Sequence, residues 1–250
     1  MSKQSGLGQQ FYLNGNNLSG DVGAITNAAG TIAPLDVTAI NKLAHERIGG
    51  RRSGVLAFTT FFNDATEQQH EALKGLPDTD VLALWLFSGT LADPSCAIIG
   101  KQANYDMTLG ADGALTFAVQ LDSTAGTFLE WGQILAAALA HSSATMATGF
   151  DDGAQTVDGA VGFLHAISAA SGTVEYDIDD SSDSTNGVDG SWATLLSFTD
   201  VPAASHPTAE RVEVNGTVEK WTRTVTEGTF TTAVFSMAIR RRASGDIDAA

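Results

Sequence analysis

Side chains that could act in catalysis are scattered along this sequence. Cys96 is the only cysteine, so an intrachain disulfide is excluded, and no G-x-S-x-G, phosphate-binding loop or H-E-x-x-H motif occurs. The histidines fall in different predicted elements and show no metal-ligand spacing: His45, His70, His141, His165 and His206. The sequence therefore predicts no catalytic residue, no cofactor and a protein that is not an enzyme. The alternative is a Ser-His-Asp set brought together only by the fold.

The densest group of possible metal ligands is the acidic stretch DIDDSSDSTNGVDG at residues 177–190. Hard oxygen ligands at short spacing suit calcium, and Asp177, Asp179 and Asp183 are the candidates. The stretch lacks the spacing of a calcium-binding loop and has no Glu at its end. Because blocks of like charge usually face water, the pattern favours an exposed acidic turn between two strands, with no metal.

Two other groups have a functional and a structural interpretation. The four tryptophans, at 85, 131, 192 and 221, would form a sugar-binding platform if two were exposed side by side, but at strand positions such residues are more often core or interface. Arg240, Arg241 and Arg242 would bind an acidic surface, but a single triple is more typical of a solvated strand end. We expect the structural interpretation in both cases.

Composition indicates strands joined by tight turns. The charged fraction is 17% and the chain has 26 glycines. Residues 1–140 contain 7 Lys and Arg against 13 Asp and Glu, and the remainder 6 against 16, so both parts are acidic within a net charge of −16. Affinity for nucleic acid comes from Lys and Arg, so this balance argues against DNA binding and fits a conduit that DNA passes without sticking. No stretch of about 18 apolar residues predicts a membrane span, and we expect synthesis in a cytoplasm.

The stretch from Leu35 to Phe62 is predicted to be strand, charged loop and strand. Residues 35–40 alternate apolar and polar side chains, and residues 55–62 are rich in apolar groups. Between them, residues 45–54 carry four charges and three glycines, which is more than a tight turn needs. The alternatives are a solvated crossing loop and a contact arm for another copy of the protein. The contact candidates are His45, Glu46, Arg47, Ile48, Arg51 and Arg52.

This order of elements, with the core ERIGGRR, a strand ending in FTTFFN and then a short helix, resembles the tail tube (major tail) proteins of long-tailed bacteriophages. The opening SKQSGLGQQFYLNGNNLSGDVG is similar to that of many actinophage-like virion proteins, and the likeness covers about residues 1–140. The resemblance implies a small β-barrel or sandwich with one helix, whose copies pair strands into rings of about six that stack into a tube. It also implies a place in the virion tail, contact with other phage tail proteins, and DNA in the lumen without specific binding.

The remaining patterns complete a mainly β prediction. A helix is expected after Asn63, capped by Asp64 with Glu67 three residues later, and a hairpin is expected across Asp112-Gly113. Residues 1–140 form the predicted polymerisation domain, 141–157 a linker, 158–243 an immunoglobulin-like or jelly-roll β-sandwich that decorates the outside, and 244–250 a flexible tail.

Two functional hypotheses remain after the weak case for an enzyme. The first is the tail tube subunit, which would form stacked, hexameric rings around the channel for DNA ejection. The alternative is a capsid or tail surface decoration protein with a carbohydrate-binding-like β-sandwich.

Overall fold

The computed structural model describes residues 7–124 and 127–243, and these are mainly β. The N-terminal strands are β1 (Gln10–Leu13), β2 (Asn16–Asn17), β3 (Val22–Asp36), β4 (Arg47–Phe61), β5 (Val81–Leu86), β6 (Pro94–Leu109), β7 (Leu115–Ser123) and β8 (Glu130–His141). The others are β9 (Thr145–Met146), β10 (Phe150–Asp151), β11 (Ala160–Ser181), β12 (Ala193–Ser197), β13 (Val201–Pro202), β14 (Thr208–Val214) and β15 (Trp221–Arg241). One α-helix, α1 (Gln69–Leu73), and a 3-10 turn (Ala203–Ser205) complete the described part. The predicted mainly β class with one short helix is confirmed.

Hydrogen bonds connect the strands into one sheet with the path β12-β11-β15-β8-β6-β5-β1-β2. A branch adds β7, β4 and β3 beyond β6. The hairpin predicted across Asp112-Gly113 is confirmed, since Leu109 pairs with Leu115 and Gly113 has a φ of 86°.

Strict alternation along the strands divides the core into three clusters. In β5, Val81 and Ala83 belong to a cluster with β4, β7 and α1, whereas Leu82 and Leu84 point to the opposite face. That second face packs against Phe163 and its neighbours on β11 and β15. Successive side chains of a strand point to opposite faces, so β5 has protein on both of its faces, as its continuous apolar run predicts.

The long β11–β15 pair folds back over itself to enclose the third cluster. A Cβ atom placed on Gly162, near the start of β11, would lie 3.1 Å from Ile178 near its end and 2.9 Å from the Phe198 ring. The two halves of β11 therefore face each other across a glycine-sized gap. The enclosed cluster includes Tyr176 on β11 and Phe235 on β15, whose ring centroids are 5.3 Å apart.

Strand pairing crosses the position at which the sequence predicts a domain boundary. β8, within residues 130–141, pairs with β6 on one side and β15 on the other, and the short β9 and β10 of the predicted 141–157 linker pair with β15. The division into 1–140 and 158–243 stays a prediction. The predicted tail at 244–250 lies outside the described residues.

The expected helix cap is wrong. Helix α1 begins at Gln69, after Glu67 with its positive φ of 62°, and Gln68 at the N-cap makes no side-chain capping bond. The Gln69 N–H instead donates to Asp21 Oδ2 at 3.1 Å, and Asn63 Nδ2 donates to Asp21 Oδ1 at 2.8 Å. A buried aspartate distant in sequence therefore fulfils the role assigned to Asp64.

The predicted 45–54 loop is also wrong. The second strand begins at Arg47, and the first, β3, extends from Val22 to Asp36, so it starts well before the predicted Leu35. Residues 47–53 at the start of β4 are almost all exposed, so their sequence lacks the alternation that identifies a half-buried strand. Among the described residues, no helix is long and apolar enough to cross a membrane.

Candidate assembly interface

The hairpin of β3 and β4 projects beyond the packed core. We call its outer part, residues 31–53, the arm. Almost every residue of the arm is exposed, and its turn places Ile40 and Leu43 entirely in solvent. Its exposed large apolar side chains are Ile32, Leu35, Val37, Ile40, Leu43 and Ile48. Single exposed apolar residues are normal, but a contiguous set of this kind marks an interaction surface.

The turn of the arm is ordered by local polar contacts. Asp36 accepts hydrogen bonds from the Thr38 hydroxyl at 2.5 Å and from the Thr38 N–H at 2.9 Å, and these bonds lower the pKa of Asp36. His45 Nδ1 lies 3.0 Å from Asp36 Oδ2. Lys42 and Glu46 form an ion pair of 2.8 Å between exposed side chains. These contacts give the tip of the arm a defined conformation.

The structure separates the six predicted contact residues into two groups. His45 and Glu46 lie in the turn, where their side chains pair with Asp36 and Lys42 of the same chain. The others lie on β4: Arg47, Ile48, Arg51 and Arg52. The Arg52 guanidinium lies 5.1 Å from the centroid of the Phe128 ring. Their role in contacting another copy stays a prediction.

A close backbone crossing anchors the base of the arm. A Cβ atom on Gly54 would lie 2.4 Å from the Leu129 backbone nitrogen, so only glycine fits there. The Gly54 N–H donates to Ser123 Oγ at 2.8 Å. From this point β4 enters the core, where Phe58 packs against Phe11 with ring centroids 4.6 Å apart. The arm thus emerges from a fixed base.

The outer edge of β3 is open. Within residues 7–124 and 127–243, β3 hydrogen-bonds only to β4, so its second edge presents backbone N–H and C=O groups over a 15-residue strand. Unpaired strand edges are templates for pairing with another chain. The sequence prediction missed this edge, although the β-branched residues Val22, Ile25, Thr26, Thr31 and Ile32 were an available signal.

The three calcium candidates have partners within the protein. Asp179 accepts from Arg223 Nη2 at 3.0 Å, and Asp183 accepts from the Ser191 N–H at 2.7 Å. Burial raises the pKa of Asp177 on the same strand as Asp179. In the described part of the chain, no group of three His, Cys, Asp or Glu side chains is arranged to hold a metal ion. Asp179 and Asp183 therefore stabilise the turn at 181–192 and its supporting strands.

The expectation of a solvated arginine triple is wrong. Arg240 Nη1 lies 3.0 Å from Glu130 Oε1, Arg241 pairs with Asp152, and Arg242 Nη2 lies 2.8 Å from Glu213 Oε2. All three guanidinium side chains are largely buried, because β15 continues to Arg241 beside β8 and β11. The three arginines therefore form ion pairs within the chain that help to stabilise the fold.

The tryptophans are divided between core and surface. Trp221 is buried, and Trp192 lies under Arg223, whose guanidinium carbon is 4.1 Å from the ring centroid. Trp85 and the half-exposed Trp131 both contact Phe87, at centroid distances of 4.3 Å and 5.7 Å. Both contacts are edge-on, so these rings do not make one flat platform.

The histidines do not converge on one site. His165 is fully buried, its Nδ1 accepts from the Gly15 N–H at 3.1 Å, and burial lowers its pKa to about 3. His141 bonds Thr226 at 2.7 Å and His70 bonds the Tyr105 hydroxyl at 2.9 Å, in other parts of the sheet. These contacts join β11 to the turn between β1 and β2, β8 to β15, and the helix to β6.

No protein-family model matches this sequence, and no curated protein matches it. Similar solved structures come from a gene transfer agent particle and from bacteriophages. A chain from the tail of an empty gene transfer agent particle, refined with C6 symmetry, is 15% identical with a TM-score of 0.41, over 51% of this chain and 98% of that one.

Two others align over nearly the whole chain. The SPP1 Dit protein, described as a paradigm of the hub adsorption apparatus in phages that infect Gram-positive hosts, is 12% identical with a TM-score of 0.35, over 93% of this chain and 99% of its own. A chain of the phage p2 baseplate in its activated conformation is 10% identical with a TM-score of 0.33, over 94% and 98%. At such identities and TM-scores, these similarities do not establish a shared function.

Proposed function

We propose that this chain is a structural subunit of a virion tail that assembles with its own copies into stacked rings around a channel for DNA. The observation that carries this proposal is the incomplete surface of the single chain. In the described monomer, the second edge of the 15-residue strand β3 has no partner strand, and the apolar side chains of the arm are about half to fully exposed. A second copy would satisfy both.

The rest of the proposal follows from the sequence. The resemblance of residues 1–140 to tail tube proteins supports rings of six copies and contact with other tail proteins. The net charge of −16 supports a wall that DNA passes without binding. The strands after residue 158 would lie on the outer surface of the ring. Such a protein is made in the host cytoplasm, acts in the virion and has no enzymatic role.

Within this function, strand pairing around the ring and the arm between rings have different tasks. Backbone hydrogen bonds along β3 would add affinity, and the arginines of the arm would fix register, since charge complementarity contributes mainly specificity and association rate. Each contact joins two different surfaces, so the rotation between copies determines whether a ring closes.

Negative-stain electron microscopy of the purified chain tests the proposal. We expect rings or tubes of uniform diameter, and immunogold labelling along the tail of the particle that carries the protein. A compact monomer at every concentration, together with no label on the tail, would refute it. Monomers or trimers that bind glycan beads would instead support a surface decoration protein.

A double charge reversal tests the arm. Arg51→Glu with Arg52→Glu should leave the monomer folded by circular dichroism, because both residues are exposed, and should block tube formation. The matched control is Lys101→Glu with Lys220→Glu, which changes the net charge equally outside the arm. Normal tubes from the arm variant would exclude the contact role of these arginines.

A further inference from the structure

A second exposed apolar surface lies at the other end of β4. Its members are Phe62 directly after β4, Met107 and Leu109 at the end of β6, and Leu76 after the helix. Met107 and Leu109 are 65% and 68% exposed. We call the surface formed by residues 61–78 and 104–113 the acidic pole. An apolar patch ringed by polar groups is typical of a binding surface.

Rings packed beneath the patch give the acidic pole a firm base. Tyr105 stacks on Phe117 with ring centroids 4.3 Å apart, and His70 lies 5.0 Å from Phe62. The Tyr105 hydroxyl accepts from Gln69 Nε2 at 2.7 Å and contacts His70 Nδ1 at 2.9 Å. Aromatic anchors with fixed rotamers are enriched at the centres of interfaces.

Charge distinguishes the acidic pole from the arm. The acidic pole contains six carboxylates, Asp64, Glu67, Glu71, Asp78, Asp106 and Asp112, against one lysine, Lys74. The arm contains Lys42, Arg47, Arg51 and Arg52 against Asp36 and Glu46. The rest of the chain has 9 Lys and Arg against 27 Asp and Glu, so the arm is net positive within a strongly acidic protein. Opposite charge beside exposed apolar groups is the complementarity expected of two partner surfaces.

The two surfaces lie at opposite ends of the same strand. β4 pairs antiparallel with β7, and β7 pairs antiparallel with β6, so the C-terminal ends of β4 and β6 lie together. The turn of the arm precedes Arg47 at the other end, about 47 Å away for 14 steps at ~3.4 Å each. An arm therefore cannot reach the acidic pole of its own chain.

We infer that the arm of one copy binds the acidic pole of a second copy. Ile40 and Leu43 enter the apolar patch around Met107 and Leu109, and the arginines of β4 lie against the surrounding carboxylates. The contact is head-to-tail, so each copy offers one arm and one acidic pole, and the resulting stack has a direction. This inference rests on the proposed self-assembly and names its second surface.

Complementation between two defective variants tests it. The arm variant is Ile40→Ser with Leu43→Ser, and the pole variant is Met107→Ser with Leu109→Ser. All four side chains are exposed, so both variants should fold. The matched control is Val157→Ser with Val188→Ser, which removes apolar side chains 69% and 65% exposed elsewhere on the surface. Association is measured by sedimentation velocity and by negative-stain images.

We expect each variant alone to stack at least about 100-fold more weakly than the unmodified chain, since truncating two buried anchors costs a factor of ten or more for each. Mixed in equal amounts, the two variants should associate through the one intact arm and the one intact acidic pole and then stop growing. The control should assemble normally. Raising salt from 0.05 M to 0.5 M should weaken the contact, because exposed charges are screened.

Three results would overturn the inference. A mixture that stays unassociated would show that an intact arm does not bind an intact acidic pole of another copy, and normal stacks from the pole variant would show that the arm binds elsewhere. Association of the arm variant with itself at unmodified strength would exclude the arm. A different result would refute the proposed function itself: the unmodified chain would form no assembly and would be absent from the tail.

Discussion

Replacing Glu130 by Gln tests the charge network that joins β8 to β14 and β15. The Glu130 side chain is 1% exposed and accepts from Arg211 at 2.9 Å and 3.0 Å and from Arg240 at 3.0 Å. Gln keeps the size of the side chain but removes the counter-ion that both buried guanidinium groups share. Removing one partner of a buried ion pair costs about 3–5 kcal/mol, so we expect the free energy of unfolding to fall by roughly that amount.

Glu213→Gln is the matched control, because it removes a carboxylate from the same arginine at the surface. Glu213 is 44% exposed and bonds Arg211 and Arg242, each at 2.8 Å. Solvent screens the Glu213 carboxylate, and without it Arg211 still bonds Glu130 and Arg242 still bonds Asn215, so the loss should cost no more than about 1 kcal/mol. The difference between the two variants isolates the effect of burial.

Urea unfolding at pH 7, followed by tryptophan fluorescence, measures both variants, with the free energy taken by linear extrapolation. Equal losses for Glu130→Gln and Glu213→Gln, or a loss below about 1 kcal/mol for Glu130→Gln, would refute the assignment of Glu130 as the central buried anion.

Two further changes concern pH and helix capping. The pKa of His165 falls from 6.5 to about 3 on folding, so the unfolded chain binds a proton that the folded chain excludes, and stability is lost as pH falls from 6.5 toward 3. Between pH 7 and 4.5 this group should cost about 2.5 kcal/mol in unfolding free energy, and His165→Gln should flatten that slope; parallel slopes for the two proteins would contradict this. Asp21→Ala removes the acceptor for the Gln69 N–H and should destabilise by about 0.5–2 kcal/mol in urea unfolding, whereas Asp64→Ala should change little. The reverse order would restore Asp64 as the cap.

Sequence patterns predicted the elements that bury a face and the hairpins closed by short turns. Burial on both faces gives β5 a continuous apolar run, and burial on one face gives β7 an alternating pattern. Both patterns can be seen in the sequence itself. Sequence patterns did not predict the full length of β3 or the start of β4. Both faces of the arm are exposed, and these two strands are defined by pairing with each other and not by a local pattern.

The errors in the polar groups have a common physical origin. Arg240 to Arg242 look solvated in sequence, but their partners Glu130, Asp152 and Glu213 are brought to them only by the fold. The helix cap likewise comes from Asp21, which lies 48 positions before Gln69 and accepts a hydrogen bond from the Gln69 N–H. The six contact candidates lie in the exposed arm, and their contact role stays a prediction. The open edge beside them and the acidic pole depend on the sheet topology, which local sequence does not show.

The open edge of β3 is irregular in a way that limits misassembly. Its pairing with β4 shifts register at three places, between Val22 and Ala24, between Ile25 and Asn27, and between Ile32 and Pro34, where proline also removes a backbone donor. An arbitrary flat strand cannot follow such a path, so indiscriminate cross-β growth is disfavoured. A strand with matching interruptions can follow it, so this edge selects a partner strand of complementary shape.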